Sequence, residues 1–111
     1  MKLSVPDKIV LIGASTGGPG QIQKIITSLP ELKNTTIIIA QHMVKGFIPS
    51  FMNRLKLYTE NTVSMAEDKQ TLVSGQIYLC DGHTRVIKEN YNLIFSHVPS
   101  RENSYNPNIN I

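Results

Sequence analysis

The 111-residue chain holds one cysteine, Cys80, so an internal disulfide is excluded. Without a CxxC or a Cys/His ligand set, nothing in it points to a bound metal. No run approaches the about 20 apolar residues that cross a bilayer, and the opening MKLSVPD lacks the apolar segment of a secretory signal. The net charge of +3 is spread along the chain, without the clustered basic runs and interleaved aromatics of a nucleic-acid face. Such a balance serves solubility and suits an acidic partner. Repeats and low-complexity linkers are also lacking. These absences leave one soluble, cytoplasmic domain spanning residues 1–111, built on one core.

What is present is an alternation of strands and helices. Residues 8–12 (KIVLI) are apolar on both side-chain faces, which predicts a strand covered on both sides, as in a parallel sheet. A glycine-rich break follows. Ile22, Ile25, Ile26 and Leu29 then recur at helical spacing, so residues 19–29 are predicted helical, with Pro19 in the first turn and Pro30 beyond the end. Residues 36–40 (TIIIA) form a second fully apolar strand, completing a right-handed βαβ unit whose strands are expected to be neighbours. Ile48, Phe51, Met52 and Leu55 predict a second helix ending near Leu57, and residues 62–65 a third short strand. Beyond Gly75, the runs 76–80, 84–88 and 93–96, separated by Asp81-Gly82 and Glu89-Asn90, predict hairpin-like strands. The tail, residues 99–111, is polar and rich in Asn and Pro.

Two segments carry chemistry. Gly13-Ala14-Ser15-Thr16-Gly17 is a G-x-S-x-G between a strand and a helix, where a tight turn exposes a serine hydroxyl above the sheet edge. Backbone amides of Thr16, Gly17 and Gly18 could approach a substrate closely there, and the helix amino end favours a developing oxyanion. The same turn also suits a bound phosphate. Gln41-His42 lies just past the second strand, so His42 shares the carboxyl edge with Ser15 and could act as its general base, or simply cap the strand end. His83, His97 and Lys45 are read as solvated or structural, Cys80 as a small buried apolar residue, and Glu67-Asp68 as surface.

The segments IGASTGG at 12–18, Gln41-His42-Met43 with Gly46-Phe47 and Ser50-Phe51, Ala66-Glu67-Asp68, and GQIYL at 75–79 resemble the protein-glutamate methylesterases of bacterial chemotaxis, in that family's order and close to its spacing. The resemblance implies a mainly parallel, doubly wound, Rossmann-like α/β sheet with a hairpin-like β region in the second half. It implies a cofactor-free serine esterase, with Ser15 as nucleophile and His42 as base, that demethylates glutamate methyl esters, and deamidates glutamines, on the cytoplasmic helices of chemoreceptors. The family's acid, in a Pro-x-x-Asp segment, falls at Asn110. In a protease triad the Asp-to-Asn change costs about 10⁴-fold in turnover, so a catalytically impaired receptor-binding module is the alternative. The resemblance covers somewhat over half of a catalytic domain, without a receiver domain, and uncovered apolar faces would favour self-association.

Overall fold

The computed structural model describes residues 5–14, 18–41, 43–80, 82–99, 105–106 and 108–110. Its centre is a four-stranded, all-parallel sheet in the order β1-β2-β5-β4, formed by β1 (Lys8–Ala14), β2 (Thr35–Gln41), β4 (Thr62–Met65) and β5 (Gln76–Leu79). Helix α1 (Gly18–Ser28) connects β1 to β2. The short β3 (Met43–Val44), a 3₁₀ turn (Lys45–Phe47) and helix α2 (Ile48–Lys56) lead from β2 to β4.

Strand alternation divides the core in two. Ile37 and Ile39 of β2, Val63 of β4 and Ile77 and Leu79 of β5 pack with Ile22 and Ile26 of α1 and Ile48, Phe51 and Leu55 of α2. The residues between them, Ile38, Tyr78 and Cys80, turn to the opposite face, against Leu72, Val86 and Phe95. That second face is covered by a hairpin of β6 (Gly82–Glu89) and β7 (Asn92–Pro99), joined in register at Glu89↔Asn92 through Asn90, whose φ of 57° is the left-handed conformation asparagine tolerates. Residues 69–72 stitch the hairpin to the body: Lys69 N–H donates to Phe95 O, Phe95 N–H to Gln70 O, and Leu72 N–H to Leu93 O. At the other end of the sheet Gly75, at φ 84°, donates to Thr35 O, and a Cβ there would lie 3.0 Å from Leu32 O, so glycine is required.

The α/β class, the parallel sheet and both helices agree with the sequence, and β4 has the expected bounds. Three expectations change. Among the described residues β1 is not covered on both faces: it is an edge strand of the sheet, as β4 is, and Val10 and Leu11 are 37% and 48% exposed. Ile25, counted in the apolar stripe of α1, is exposed because the buried stripe is narrower, Ile22 and Ile26 with Leu29 at its margin. The run 76–80 is not a hairpin arm: β5 lies inside the parallel sheet, where both of its faces are covered. Part of the polar tail is ordered as strands, with β8 (Tyr105–Asn106) antiparallel to β3 and β9 (Asn108–Asn110) parallel to β6.

Candidate active site

β1 and β2 pair one-to-one over seven positions, from Lys8↔Thr35 to Ala14↔Gln41. Parallel neighbours lie about 4.8 Å apart, so the two chains reach the carboxyl edge of the sheet side by side. β5 and β4 end on the same rim: Cys80 N–H donates to Ile39 O at 3.0 Å and Ala66 N–H to Leu79 O at 2.9 Å. The rim rests on a dry base, since Gln41, Ala66 and Cys80 are all buried. Helix α1 begins at Gly18, with three residues between it and the end of β1, and its first turn carries no acidic side chain to offset the partial positive charge of its amino end.

The sequence candidates map unevenly onto this rim. Ser15, Thr16, Gly17 and His42 lie outside the described residues, and Gly18 is described as the first backbone position of α1. Ser15 follows Ala14 in the chain and His42 follows Gln41, so each is one peptide bond from a residue of the terminal register pair. Asn110 belongs to the other sheet, in register with Arg85 of β6, two residues further along β9 than Asn108, which partners His83. His97 is in β7, in register with Thr84, and Lys45 opens the 3₁₀ turn. Cys80 is fully buried and Glu67 and Asp68 are exposed, as expected.

Two side chains not singled out from the sequence matter to the surroundings. Tyr78 accepts a hydrogen bond from Val73 N–H at 3.1 Å and meets Phe95 edge-on with ring centroids 5.0 Å apart, tying the sheet to the hairpin. Burial pushes its phenol pKa above the usual 10.0, against the opposing effect of the Val73 hydrogen bond. Arg54 borders a groove of about 270 Å³ formed with Met43, Phe47, Ser50 and Phe51, beginning one residue past His42 in the chain. A roomier groove, about 790 Å³, lies where α1 and α2 end, lined by Leu29, Glu31, Tyr58 and Asn61 among others. There Asn61 braces the loop, its Oδ1 accepting from Leu32 N–H and its Nδ2 donating to Pro30 O. Among the described residues no three His, Cys, Asp or Glu side chains gather as a metal site, and no helix is long and apolar enough to cross a membrane.

An α/β sheet with a serine and a histidine following adjacent parallel strands defines a class, and comparison with known proteins narrows it. A family model for the CheB methylesterase domain matches residues 10–111, and the chain belongs to that family. The protein-glutamate methylesterase/protein-glutamine glutaminase of Thermotoga maritima is 42% identical over 81 residues, 73% of this chain and 24% of that protein. The corresponding protein 4 of Hahella chejuensis is 39% identical over 82 residues, 74% of this chain and 21% of its own length. The crystal structure of the Thermotoga maritima CheB methylesterase catalytic domain superposes with a TM-score of 0.77 at 36% identity, covering 89% of this chain and 52% of that one. The chain thus spans about a quarter or less of these relatives' length, and about half of the solved catalytic domain.

Proposed function

We propose that this chain carries the nucleophile and general base of a cytoplasmic protein-glutamate methylesterase, within part of a single catalytic domain. The observation that carries the reading is the Ala14↔Gln41 pair, which ends two adjacent parallel strands immediately before Ser15 and His42. Family membership and the names of the relatives supply the substrate class, glutamate methyl esters and glutamines of proteins.

In this mechanism Ser15 Oγ attacks the carbonyl carbon of the γ-ester while His42 takes the hydroxyl proton. Backbone N–H groups of Thr16, Gly17 and Gly18, at the start of α1, receive the oxyanion. The intermediate collapses, the C–O bond to the methoxy group breaks, and His42 returns its proton to release methanol. Water, deprotonated by His42, then cleaves the acyl-serine to leave a glutamate carboxylate. With a glutamine substrate ammonia leaves in place of methanol. The sequence requires no metal or organic cofactor, and the substrate is a helical segment of a chemoreceptor's cytoplasmic part.

The mechanism gives Asn110 no step; its backbone is in register with Arg85 of β6. The test is methanol release from methylated receptor by the full chain, compared with Ser15→Ala and Asn110→Asp. Ser15→Ala is expected to lower turnover by at least about 10³-fold, and persistent activity would end the nucleophile reading. Asn110→Asp is expected to leave turnover within about twofold. A gain approaching the about 10⁴-fold effect of a triad carboxylate would instead make residue 110 the acid position and the native chain an impaired binding module.

A further inference from the structure

The groove of Met43, Phe47, Ser50, Phe51 and Arg54 is not used by the chemistry above, yet it opens directly beyond the strand that leads to His42. Its two ends differ in character. Phe47, at the start of α2, is 65% exposed although it is a large apolar ring, while the neighbouring Phe51 is buried in the core and makes the floor. At the other end Arg54 is exposed, and its guanidinium makes no ion pair or hydrogen bond with a described residue. α2 contains no acidic residue, so nothing on the helix competes for that charge.

An exposed ring about two helical turns from a guanidinium that has no partner among the described residues matches an amphipathic helix that carries carboxylates along one flank. A guanidinium engages a carboxylate through two parallel N–H···O bonds, a geometry that fixes orientation as well as adding attraction. The chain's positive charge favours the same class of partner. We infer that this groove docks the acidic helical substrate, Arg54 pairing with a glutamate carboxylate one or two helical turns from the ester and Phe47 covering an aliphatic side chain beside it. The inference rests on the methylesterase reading for the identity of the substrate. It makes Arg54 a specificity residue that never touches the reacting atoms, and it predicts a preference for esters that have an unmodified glutamate nearby on the same helix.

The test separates docking from chemistry by using two substrates and a binding measurement. Binding of a fluorescent receptor helix fragment, rich in glutamate, is followed by anisotropy for the full chain and for Arg54→Glu, Arg54→Lys and Phe47→Ala, beside hydrolysis of p-nitrophenyl acetate. Arg54→Glu is expected to weaken fragment binding about tenfold at low salt, with the difference shrinking as salt is raised, while Arg54→Lys, which keeps the charge but loses the paired N–H···O geometry, weakens it by a smaller factor of about three. Hydrolysis of the small ester is expected to stay unchanged in both, because it needs no docking. Fragment binding unaltered by Arg54→Glu would overturn the inference, as would a parallel loss of binding and small-ester hydrolysis in a variant that melts normally. Arg54-dependent binding by a chain that cleaves neither ester would uphold the docking groove and sink the esterase reading. Ser15-dependent cleavage with binding indifferent to Arg54 would do the reverse.

Discussion

Leu11 and Ile38 are register partners on adjacent strands and project to the same face of the sheet, yet Leu11 is 48% exposed and Ile38 fully buried. The next pair, Val10 and Ile37, repeats the contrast on the helical face. Both strands are apolar on both sides, so composition does not separate them. Position does: β2 has β1 and β5 as neighbours, with helices beneath and the hairpin above, whereas among the described residues β1 has one strand neighbour and the hairpin core reaches only its Ile9. The candidate nucleophile and base therefore follow strands of unequal support. The histidine strand is locked on every side, and the serine strand is held from one side by a continuous seven-residue ladder.

The largest expected effect lies on the locked side. Ile38→Ala removes a side chain that no rearrangement of the closed core can replace, and should cost about 2–5 kcal/mol in denaturant unfolding. A loss under about 1 kcal/mol would show that the hairpin face is looser than described. Next comes the tie between the two layers. Tyr78→Phe removes the acceptor for Val73 N–H and should cost about 1 kcal/mol. Because burial raises the Tyr78 pKa, the unfolded chain ionises this phenol first. The stability it contributes is fully present below the ordinary value of 10.0 and is lost as pH rises through the higher folded value. Unfolding followed against pH should therefore lose part of its alkaline slope in Tyr78→Phe, and an unchanged slope would assign that slope to other groups. The smallest effect belongs to the edge. Leu11→Lys should alter stability by about 0.5 kcal/mol or less, while raising several-fold the protein concentration at which light scattering detects self-association. Association unaffected by the new charge would place the sticky surface elsewhere.

The same contrast explains what could be read in the sequence. β1, α1, β2, α2 and β4 were legible because each is a run whose period or length has one reading, helped by Gly13 at the end of β1, Pro19 and Pro30 about α1 and Pro49 at the start of α2. β5 was not: a four-residue run, QIYL, between turn signals fits a hairpin arm and a buried parallel strand equally, and its insertion between β2 and β4 is decided by contacts distant in sequence. Burial of β1 was over-read for the same reason, since an edge and a centre can share one pattern. Of the candidate site, Ser15 and His42 are proposed from a strand-glycine-helix turn and a strand end, and what the structure adds is that the residues before them, Ala14 and Gln41, are register partners. Arg54 was not legible, because a lone arginine three residues past Phe51 reads as solvent-facing until the groove around it is seen. Asn110 was assigned from a short segment, and the register of β9 beside Arg85 depends on a sheet the sequence did not announce.

The claim beneath all of this is that two neighbouring strands deliver one hydroxyl and one imidazole that work as a unit. A double-mutant cycle on methanol release from methylated receptor reads that coupling directly, with Ser15→Ala, His42→Ala and the pair compared to the unaltered full chain. Each single change is expected to cost at least about 10³-fold, and the double change no more than the worse single one, because removing either partner already disables the other. Losses that multiply, or a His42→Ala variant that keeps its turnover, would contradict the account.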